Sequence, residues 1–364
     1  MQDILTEIGR QFCLPGTFSS YDTVKNGNIN QTYKVTYRTD SGEKTYIFQK
    51  VNTHVFRNPE EIMENIGRVT AHIRRKCPER PTLFFHRTFL SGSPDGSVNF
   101  VHDEDGGFWR VMDYLDSVVF DSCDDPSVIR AAGKAFGEFQ RQLSDFDGSL
   151  LHETIPDFHN TRRRLDTLFA DARRDIAGRT SDVLHELRRF RTYYKEATDL
   201  CDRFAAGKFP PRVTHNDTKA NNVLFDRKTL RPLAVIDLDT VMPGMAMYDF
   251  GDAVRFLANT AAEDEPDTEK VSLDVGKFTA FAEGFIGEVK DSLTSEEIDG
   301  MVQGAFSVTV ELAARFLDDY LTGDPYFRTD YPEHNLVRAR CQLRLAEDIL
   351  SKTPLLQQIV RKIG

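Results

Sequence analysis

Apolar residues follow two different periodicities in the first third of the chain. The stretches INQTYKVTY (29–37) and KTYIFQKV (44–51) are rich in β-branched and aromatic residues, and the TDSG between them has the composition of a turn. In PEEIMENIGRVTAHI (59–73) the apolar positions recur instead at the spacing of a helix. SVNFVHD (97–103) and GFWRVMDYL (107–115) have strand character again. The pattern predicts two hairpins in a small sheet, with one helix packed on it.

Helical periodicity dominates from about residue 115 onward. In the segment 124–146, Asp125 is placed as a helix N-cap before Pro126, and an apolar stripe follows at helical spacing. Further helices are predicted around residues 181–205, 272–289, 295–321 and 333–351. Two short strand-like segments, NNVLFD (221–226) and PLAVIDLD (232–239), interrupt this series. The whole pattern predicts an α+β fold of two lobes.

The change from strand-like to helical periodicity predicts a boundary between the lobes. Residues 1–113 are expected to form a small mixed lobe, and residues 114–364 a larger, mainly helical lobe. A chain of 364 residues is long enough for each lobe to bury its own core. Its first residues, MQDILTEIGRQFC, have the pattern of an amphipathic helix rather than of a signal peptide.

Charge and cysteine content exclude several classes of function. The net charge of −11 argues against a broad basic surface for nucleic acid. The five cysteines are scattered and never form a C-x-x-C pair, which is typical of reduced thiols and argues against a disulfide scaffold or a zinc site. No stretch approaches the roughly 18 apolar residues of a membrane span. We therefore expect a cytoplasmic protein with small-molecule partners, and neither nucleic acid nor membrane.

The segment RVTHNDTKANNVLFD (212–226) concentrates polar residues between two apolar runs. A loop followed by a short hairpin would bring Asn222 close to Asp237, with Asp217 facing them across a cleft. An amide and a carboxylate oxygen so placed suit Mg²⁺, and a separate carboxylate can accept the proton of a hydroxyl nucleophile. H-x-D-x-x-x-x-N is also the spacing of the protein-kinase catalytic loop, and Lys219 is close enough to reach a transferred phosphoryl group.

A simpler interpretation of the same segment is turn formation. Asn and Asp clusters often only bond their own backbone. Here the spacing, the following hairpin and the second acidic strand end agree with one another, so we favour phosphoryl transfer.

Several motifs resemble a known superfamily. VTHNDTKANNVLFD (213–226), AVIDLDTVMPG (234–244) and YDFGDAVRF (248–256) are similar to the aminoglycoside phosphotransferase and choline kinase-like superfamily, which has a two-lobed protein-kinase-like fold. Together with NGNINQTYKV, RFLDDYLTGDPYF and YPEHNLVRAR, they most resemble the N-acetylhexosamine 1-kinases over nearly the whole chain. The resemblance implies ATP-dependent phosphorylation of the anomeric hydroxyl of GlcNAc or GalNAc, with Mg²⁺. Asp217 would be the base, and Asn222 and Asp237 the metal ligands.

The resemblance also makes the first lobe the nucleotide-binding lobe. Its segment KNGNINQTY (25–33) stands in place of a glycine-rich phosphate loop, and the adenine would lie against residues 110–114. Gln49 occupies the position of the usual strand lysine, and Lys50 should point to the opposite face. Either the Gln49 amide replaces the ammonium, or the strand is offset by one residue. The expected nucleotide-binding residues are Asn26, Gly27, Asn30, Gln49 and Met112.

The sugar is expected beside Asp217 on the helical lobe. Arg315 and Tyr326 match positions that help to bind the hexosamine in the resembling family, and Phe256 can give an apolar wall. Asn28 and Tyr21 can close over the sugar from the first lobe. The structural alternatives are a surface ion pair for Arg315, a core position for Phe256 and a packed aromatic ring for Tyr326.

Further alternatives stay open at this point. Asp239 either assists the metal through water or accepts hydrogen bonds behind it, and His215 is expected to brace the loop. The nearest rival function is a kinase of the same fold for another small alcohol, such as choline, ethanolamine or an aminoglycoside. A more distant one is a non-catalytic nucleotide-binding protein, which the single glycine of the phosphate loop and Gln49 would suit.

Overall fold

A five-stranded antiparallel sheet forms the core of the first third of the molecule. The structure is a computed structural model that describes residues 1–24, 29–79, 85–89 and 97–364. The strands of this part are β1 (Thr17–Val24), β2 (Gln31–Thr39), β3 (Gly42–Lys50), β4 (Thr88–Phe89), β5 (Ser97–Val98), β6 (Val101–His102) and β7 (Phe108–Asp113). The sheet has the order β1-β2-β3-β7-β6, and β4 pairs separately with β5.

The sheet has two faces of different character because successive side chains alternate between them. On the outer face, helix α1 (Gln2–Gln11) packs Leu5 and Ile8 against aromatic and β-branched side chains. These include Tyr33, Val35, Tyr37, Tyr46, Phe48, Trp109 and Val111. The inner face carries Gln49 and Arg110, which are paired in register across β3 and β7.

Helix α2 (Pro59–Lys76) connects the sheet to the rest of the molecule. Its buried residues share one apolar cluster with Phe139, Leu143 and Val241 from the helical part. Within this cluster, the buried Asn65 amide donates to the carbonyl oxygens of His152 and Val241, at 2.8 and 3.0 Å. The helix therefore holds both parts of the chain by packing and by polar contacts.

Helices make up most of the chain after β7. They are α3 (Pro126–Gln142), α4 (Thr161–Arg174), α5 (Leu184–Ala205), α6 (Ala246–Leu257), α7 (Val275–Val289), α8 (Ser295–Asp299), α9 (Met301–Thr322) and α10 (His334–Ile363). Helix α9 is central and packs against α4, α5, α6 and α10. Asp125 caps α3 by accepting a hydrogen bond from the Ser127 N–H, as its position predicts.

Two short strand pairs interrupt the helices and frame the polar segment. Strand β8 (Arg212–Thr214) pairs with β11 (Met242–Gly244), and β9 (Val223–Phe225) pairs with β10 (Pro232–Val235). The loop between β8 and β9 therefore lies next to the end of β10. Helix α6 begins directly after β11, so its first turns face the same loop.

Comparison with the sequence patterns confirms the α+β class, the β2-β3 hairpin and helices α1, α2 and α3. The helix predicted over 295–321 is two helices that meet at Gly300, and the one predicted over 333–351 continues to Ile363 with Pro354 inside it. Strand β1 and helices α4 and α6 were not predicted. Among the described residues, no helix combines the length and apolarity needed to cross a membrane. The division of the chain at residue 113 stays a proposal.

Glycines let α3 and α7 approach closely. A Cβ added at Gly284 of α7 would lie 2.1 Å from the Arg130 carbonyl oxygen of α3, and one at Gly133 would lie 2.4 Å from the Phe281 carbonyl oxygen. Gly287 lies on the same helix as Gly284, but nothing lies within 4 Å of its added Cβ.

We predict opposite effects of alanine at these two positions of α7. Gly284→Ala forces two backbones apart and should lower the free energy of unfolding by about 1–3 kcal/mol or more. Gly287→Ala meets no obstacle and should raise it by about 0.5–1 kcal/mol, because alanine loses less chain entropy in a helix. Calorimetric midpoints of both variants test this, and equal shifts would contradict the close approach of the two helices.

Candidate active site

Carboxylates of α6 hold the loop between β8 and β9 through its backbone. The N–H groups of His215 and Asn216 donate to the two oxygens of Asp249, both at 2.8 Å. The N–H of Thr218 donates to Asp252 at 2.9 Å. Asn216 has a φ of 65°, in the left-handed region that Asn tolerates better than most residues. The conformation of the loop is thus determined by hydrogen bonds to α6.

His215 connects the same loop to the end of β10. Its Nε2 lies 2.8 Å from the Ile236 carbonyl oxygen, to which it can only donate. Its Nδ1 accepts from the Asp217 N–H at 3.3 Å, so Nε2 is the nitrogen that carries the hydrogen in this arrangement. The ring also packs edge-on against Phe136 and Phe139. These contacts agree with the bracing role expected for this residue.

Asp217 lies between an ammonium group and an amide. Lys219 Nζ is 2.9 Å from one carboxylate oxygen of Asp217, and Asn222 Nδ2 is 3.2 Å from the other. Asn222 Nδ2 also donates to the Asp217 carbonyl oxygen at 2.8 Å. The Asp217 carboxylate raises the pKa of Lys219, so this ammonium stays charged. Because the Asn222 nitrogen faces Asp217, its amide oxygen is the atom left for a cation.

Asp237 completes this group of side chains. The Ile236 N–H donates to the Asn222 carbonyl oxygen at 2.9 Å, which brings the following Asp237 beside Asn222. Asp237 has a φ of 60° and is open to solvent, although protein atoms lie densely around it. This crowding, with the nearby charges of Asp239 and Asp217, raises the pKa of Asp237 to about 7.

The donor set fits a magnesium ion. Asn222 and Asp237 offer one amide and one carboxylate oxygen, and negative charge is in excess at this point. Within the described ranges, no group of three or more His, Cys, Asp or Glu side chains is arranged to hold a metal. A cation here would therefore depend on these two residues and on non-protein ligands.

Asp239 is a hydrogen-bond acceptor in the interior. Arg110 reaches it from β7 with both terminal nitrogens, at 2.5 and 3.0 Å, and both side chains are nearly inaccessible. The Asn30 amide donates to the same carboxylate at 2.8 Å. Of the two alternatives left open for Asp239, these bonds favour the acceptor that lies behind the metal position.

Gln49 and Lys50 point to opposite faces of the sheet, as the alternation of β3 predicts. Gln49 lies on the inner face, where its amide oxygen accepts from Arg110 Nε at 3.0 Å. Lys50 lies on the outer face and pairs with Asp103 at 2.8 Å. The strand is therefore not offset. The positive charge of the inner face comes from Arg110 on the neighbouring strand.

The other residues predicted to bind nucleotide are placed as follows. The Asn30 amide oxygen accepts from the Asn52 N–H at 3.0 Å, so this side chain is bonded at both of its ends. Met112 is buried in the cluster around α2, and its backbone forms an isolated bridge with Phe85. The predictions for Asn26, Gly27 and Asn28 fall on residues outside the described ranges.

Arg315 lies among aromatic rings rather than in an ion pair. Its guanidinium carbon is 5.4, 5.9 and 5.5 Å from the ring centres of Phe158, Tyr326 and Phe327. Within the described part of the chain, Arg315 forms no ion pair with a carboxylate, which argues against the surface-pair alternative. The pKa of the neighbouring Arg164 is lowered by burial and by the charge of Arg315. We call Arg315 and these three rings the arginine–aromatic cluster.

This cluster adjoins the loop that carries Asp217. Phe158 precedes His159, whose Nε2 lies 3.2 Å from the Asn216 carbonyl oxygen. Tyr326 is 61% exposed, so one side of its ring is free to contact a ligand. The Arg315 and Tyr326 positions thus come together next to the polar loop.

Unlike Arg315 and Tyr326, Tyr21 and Phe256 make their contacts outside the arginine–aromatic cluster. Tyr21 pairs with Val35, which is covered by α1, and its ring packs against Phe18 and Tyr33 on the outer face. This location gives no support to a role for Tyr21 over the sugar. Phe256 is partly buried against the core of the helical part, which is its structural alternative.

Sequence reasoning missed the roles of Arg110, Asp249, Asp252 and His159. A signal was present for the first, because a single arginine stands in the apolar strand FWRVMD. Asp249 and Asp252 belong to the quoted motif YDFGDAVRF, where their spacing of three puts both on one face of a helix. His159 has no motif around it and could only be found from the structure.

An antiparallel sheet ahead of a mainly helical part, with this Asp, Lys and Asn loop beside a second acidic strand end, is the protein-kinase-like fold of small-molecule phosphotransferases. Residues 21–274 match the model of the Phosphotransferase enzyme family, and the chain belongs to that family.

Solved structures of low sequence identity share the fold. An ethanolamine kinase of Plasmodium vivax is 14% identical, with a TM-score of 0.53 over 89% of this chain and 82% of that one. A spectinomycin phosphotransferase in complex with ADP and spectinomycin is 12% identical, with a TM-score of 0.54 over 93% and 94%. A choline kinase of Cryptosporidium parvum is 11% identical, with a TM-score of 0.52 over 94% and 91%.

From the buried contact between Arg110 and Asp239 we predict how substitutions change the free energy of unfolding. Arg110→Met strands a buried carboxylate and should lower the free energy of unfolding by roughly 3–5 kcal/mol. Adding Asp239→Asn should cost less than the two single changes together, because the stranded charge is then gone.

The control is Arg130→Met, which breaks the exposed pair with Glu283 and should cost about 1 kcal/mol or less. Thermal or urea unfolding of the four variants measures these values. Additive effects of Arg110→Met and Asp239→Asn would show that the two side chains are not coupled.

Proposed function

We propose that this phosphotransferase moves the γ-phosphoryl group of ATP to the anomeric hydroxyl of an N-acetylhexosamine, giving the sugar 1-phosphate and ADP. The observation that carries the proposal is the contact of Asp217 with Lys219 and Asn222, beside Asp237. The motifs shared with N-acetylhexosamine 1-kinases supply the acceptor.

Asp217 has the role of general base. One of its oxygens accepts the proton of the sugar hydroxyl while the hydroxyl oxygen bonds to phosphorus, and the electrons of the broken P–O bond leave with ADP. Lys219, already charged beside Asp217, can turn to the phosphoryl oxygens and offset their negative charge. Asn222 and Asp237 would hold Mg²⁺, which neutralises charge on the phosphates when bound.

The charge around Arg315 favours a neutral acceptor. A cationic alcohol needs carboxylates around its amine, whereas here an arginine without an ion pair in the described part of the chain lies beside the loop of Asp217. A sugar offers hydroxyl and carbonyl oxygens to the guanidinium and apolar C–H groups to the exposed ring of Tyr326. This observation weighs against choline, ethanolamine and aminoglycosides as acceptors.

The alternative is a kinase of the same fold for another small alcohol. A non-catalytic nucleotide-binding protein is less consistent with the site, because Asp217, Lys219, Asn222 and Asp237 lie close to one another.

An acceptor panel tests the proposal. The panel contains GlcNAc, GalNAc, glucose, choline, ethanolamine and an aminoglycoside, each with ATP and Mg²⁺, and phosphorus NMR identifies the product. The methyl glycoside of GlcNAc is the matched control, because its anomeric oxygen carries no proton. We expect 1-phosphates of the two N-acetylhexosamines only. Phosphorylation of the methyl glycoside, or preference for a cationic alcohol, would refute the proposed acceptor.

We predict that Asp217→Asn lowers kcat by about 10²–10⁴-fold, since the amide keeps the shape but cannot accept the proton. Nucleotide affinity, measured by calorimetry, should change little, because Lys219, Asn222 and Asp237 remain. Asp226→Asn is the control in the same segment, where the side chain only bonds the turn at Lys228 and Thr229. If the Asp217→Asn protein kept full kcat, we would conclude that the polar residues of the loop only form a turn.

We predict that Arg315→Ala raises the KM for the sugar by roughly 10-fold or more and leaves the KM for ATP nearly unchanged, because charged hydrogen bonds contribute about 1.5–3 kcal/mol. Arg162→Ala is the control, because Arg162 also stacks on a ring, that of Tyr194 at 5.3 Å, outside the arginine–aromatic cluster. A larger effect on ATP than on sugar would place Arg315 in the nucleotide site.

A further inference from the structure

A buried histidine lies directly behind the loop that presents Asp217. His159 immediately precedes the N-cap of α4, and its Nε2 is 3.2 Å from the Asn216 carbonyl oxygen. Its Nδ1 is 2.9 Å from a carboxylate oxygen of Glu311 on α9. The other oxygen of Glu311 accepts from the Thr161 hydroxyl at 2.9 Å.

The hydrogen-bond partners of His159 favour a hydrogen on each ring nitrogen. A backbone carbonyl can only accept, so Nε2 must carry a hydrogen. Nδ1 faces the Glu311 carboxylate, whose negative charge favours a second hydrogen on the ring. The contacts therefore favour the imidazolium form of His159, whose charge the adjacent carboxylate would neutralise.

The surrounding groups agree with this charge. Burial alone would lower the pKa of His159, but the charge and hydrogen bond of Glu311 and the charge of Asp252 on α6 outweigh it and raise that pKa. Tyr248, also on α6, contributes a ring whose centre is 5.5 Å from that of His159. Among the described residues, no lysine or arginine forms an ion pair with Glu311, and Arg164 interacts with its charge from a greater distance, so His159 is the side chain placed to neutralise it.

The contact acts on one particular peptide unit. The carbonyl of Asn216 and the N–H of Asp217 belong to the same planar group. His159 donates to its oxygen at 3.2 Å, and His215 accepts from its N–H at 3.3 Å. Two histidines thus hold the two ends of the plane that carries Asp217, one as a donor and the other as an acceptor.

We propose that His159, kept as an imidazolium by Glu311, is a positioning residue that fixes the Asn216–Asp217 peptide plane and so the direction of the Asp217 carboxylate. The inference rests on the proposed function in taking Asp217 as the base. Without this donor, the left-handed residue Asn216 has no partner for its carbonyl among the described residues, and the plane is held only at its N–H end, by His215.

Kinetics form the first part of the test. His159→Ala should lower kcat by about 10²-fold, because a misplacement of about 1 Å near the reacting group costs that much. The KM values for sugar and ATP should not change, since His159 contacts neither. His159→Gln keeps a donor for the carbonyl and should recover part of the loss.

The control is His152→Gln in the same segment. His152 also pairs with a glutamate, Glu64 at 2.8 Å, but lies at the surface away from the loop. Full kcat in a folded His159→Ala protein, or an equal loss in His152→Gln, would overturn the inference.

The second part needs no acceptor. Nitrogen NMR of the histidine rings at neutral pH, with His159 assigned from the missing signal in His159→Gln, should show both ring nitrogens protonated. In Glu311→Gln the same ring should lose the imidazolium signature, even if His159→Ala does not fold. A neutral His159 in the wild-type protein would overturn the inference, even if the protein phosphorylates the proposed sugar. A charged His159 in a protein that phosphorylates no sugar would support it and refute only the proposed acceptor.

Discussion

The candidate site depends on the hydrogen bonds that α6 makes to a loop in front of it. Two carboxylates in the first turns of this helix, Asp249 and Asp252, accept from backbone N–H groups at 215, 216 and 218. Burial raises the pKa of Asp249, and the Gln140 amide, at 2.5 Å, adds a further donor to it. Because these bonds go to the backbone, they specify the path of the chain and leave the side chains of Asp217 and Lys219 free for chemistry. In this loop, the backbone N–H groups bond inward to α6, and the side chains of Asp217 and Lys219 face the cleft.

Strand and helix periodicity was sufficient for the parts of the fold whose sequence matches a simple pattern. The β2-β3 hairpin has β-branched and aromatic residues on both sides of a turn, and α3 has a capping residue and a clear apolar stripe. Strand β1 was missed because TFSSYDTV is mostly exposed and polar, so its sequence does not alternate between apolar and polar residues. Helix α4 was missed because five arginines and an interrupted apolar face obscure its period.

For the candidate site, as for the fold, the sequence predicted the local arrangement but not the contacts between distant segments. A loop of eight residues carries its own signature, and spacing alone put Asp217, Lys219 and Asn222 within reach of one another. Strand alternation correctly separated Gln49 from Lys50. Contacts between distant segments have no such local signal, so Arg110 was not expected to bond Asp239, and His159 was not expected behind Asn216. The placement of Tyr21 on the outer face likewise follows from its pairing with Val35, which requires the register of β1.

The buried pair of Arg110 and Asp239 also has a consequence for how this protein can diverge. Each side chain is nearly inaccessible and bonded twice to the other, so a change at one position leaves a charge that no solvent can reach. A lineage that loses the arginine must therefore lose the aspartate almost at once, or acquire a new cation such as a lysine at position 49. Position 49, position 110 and position 239 are accordingly expected to vary together among descendants of this sequence, as a single inherited unit that spans the sheet and the helical part.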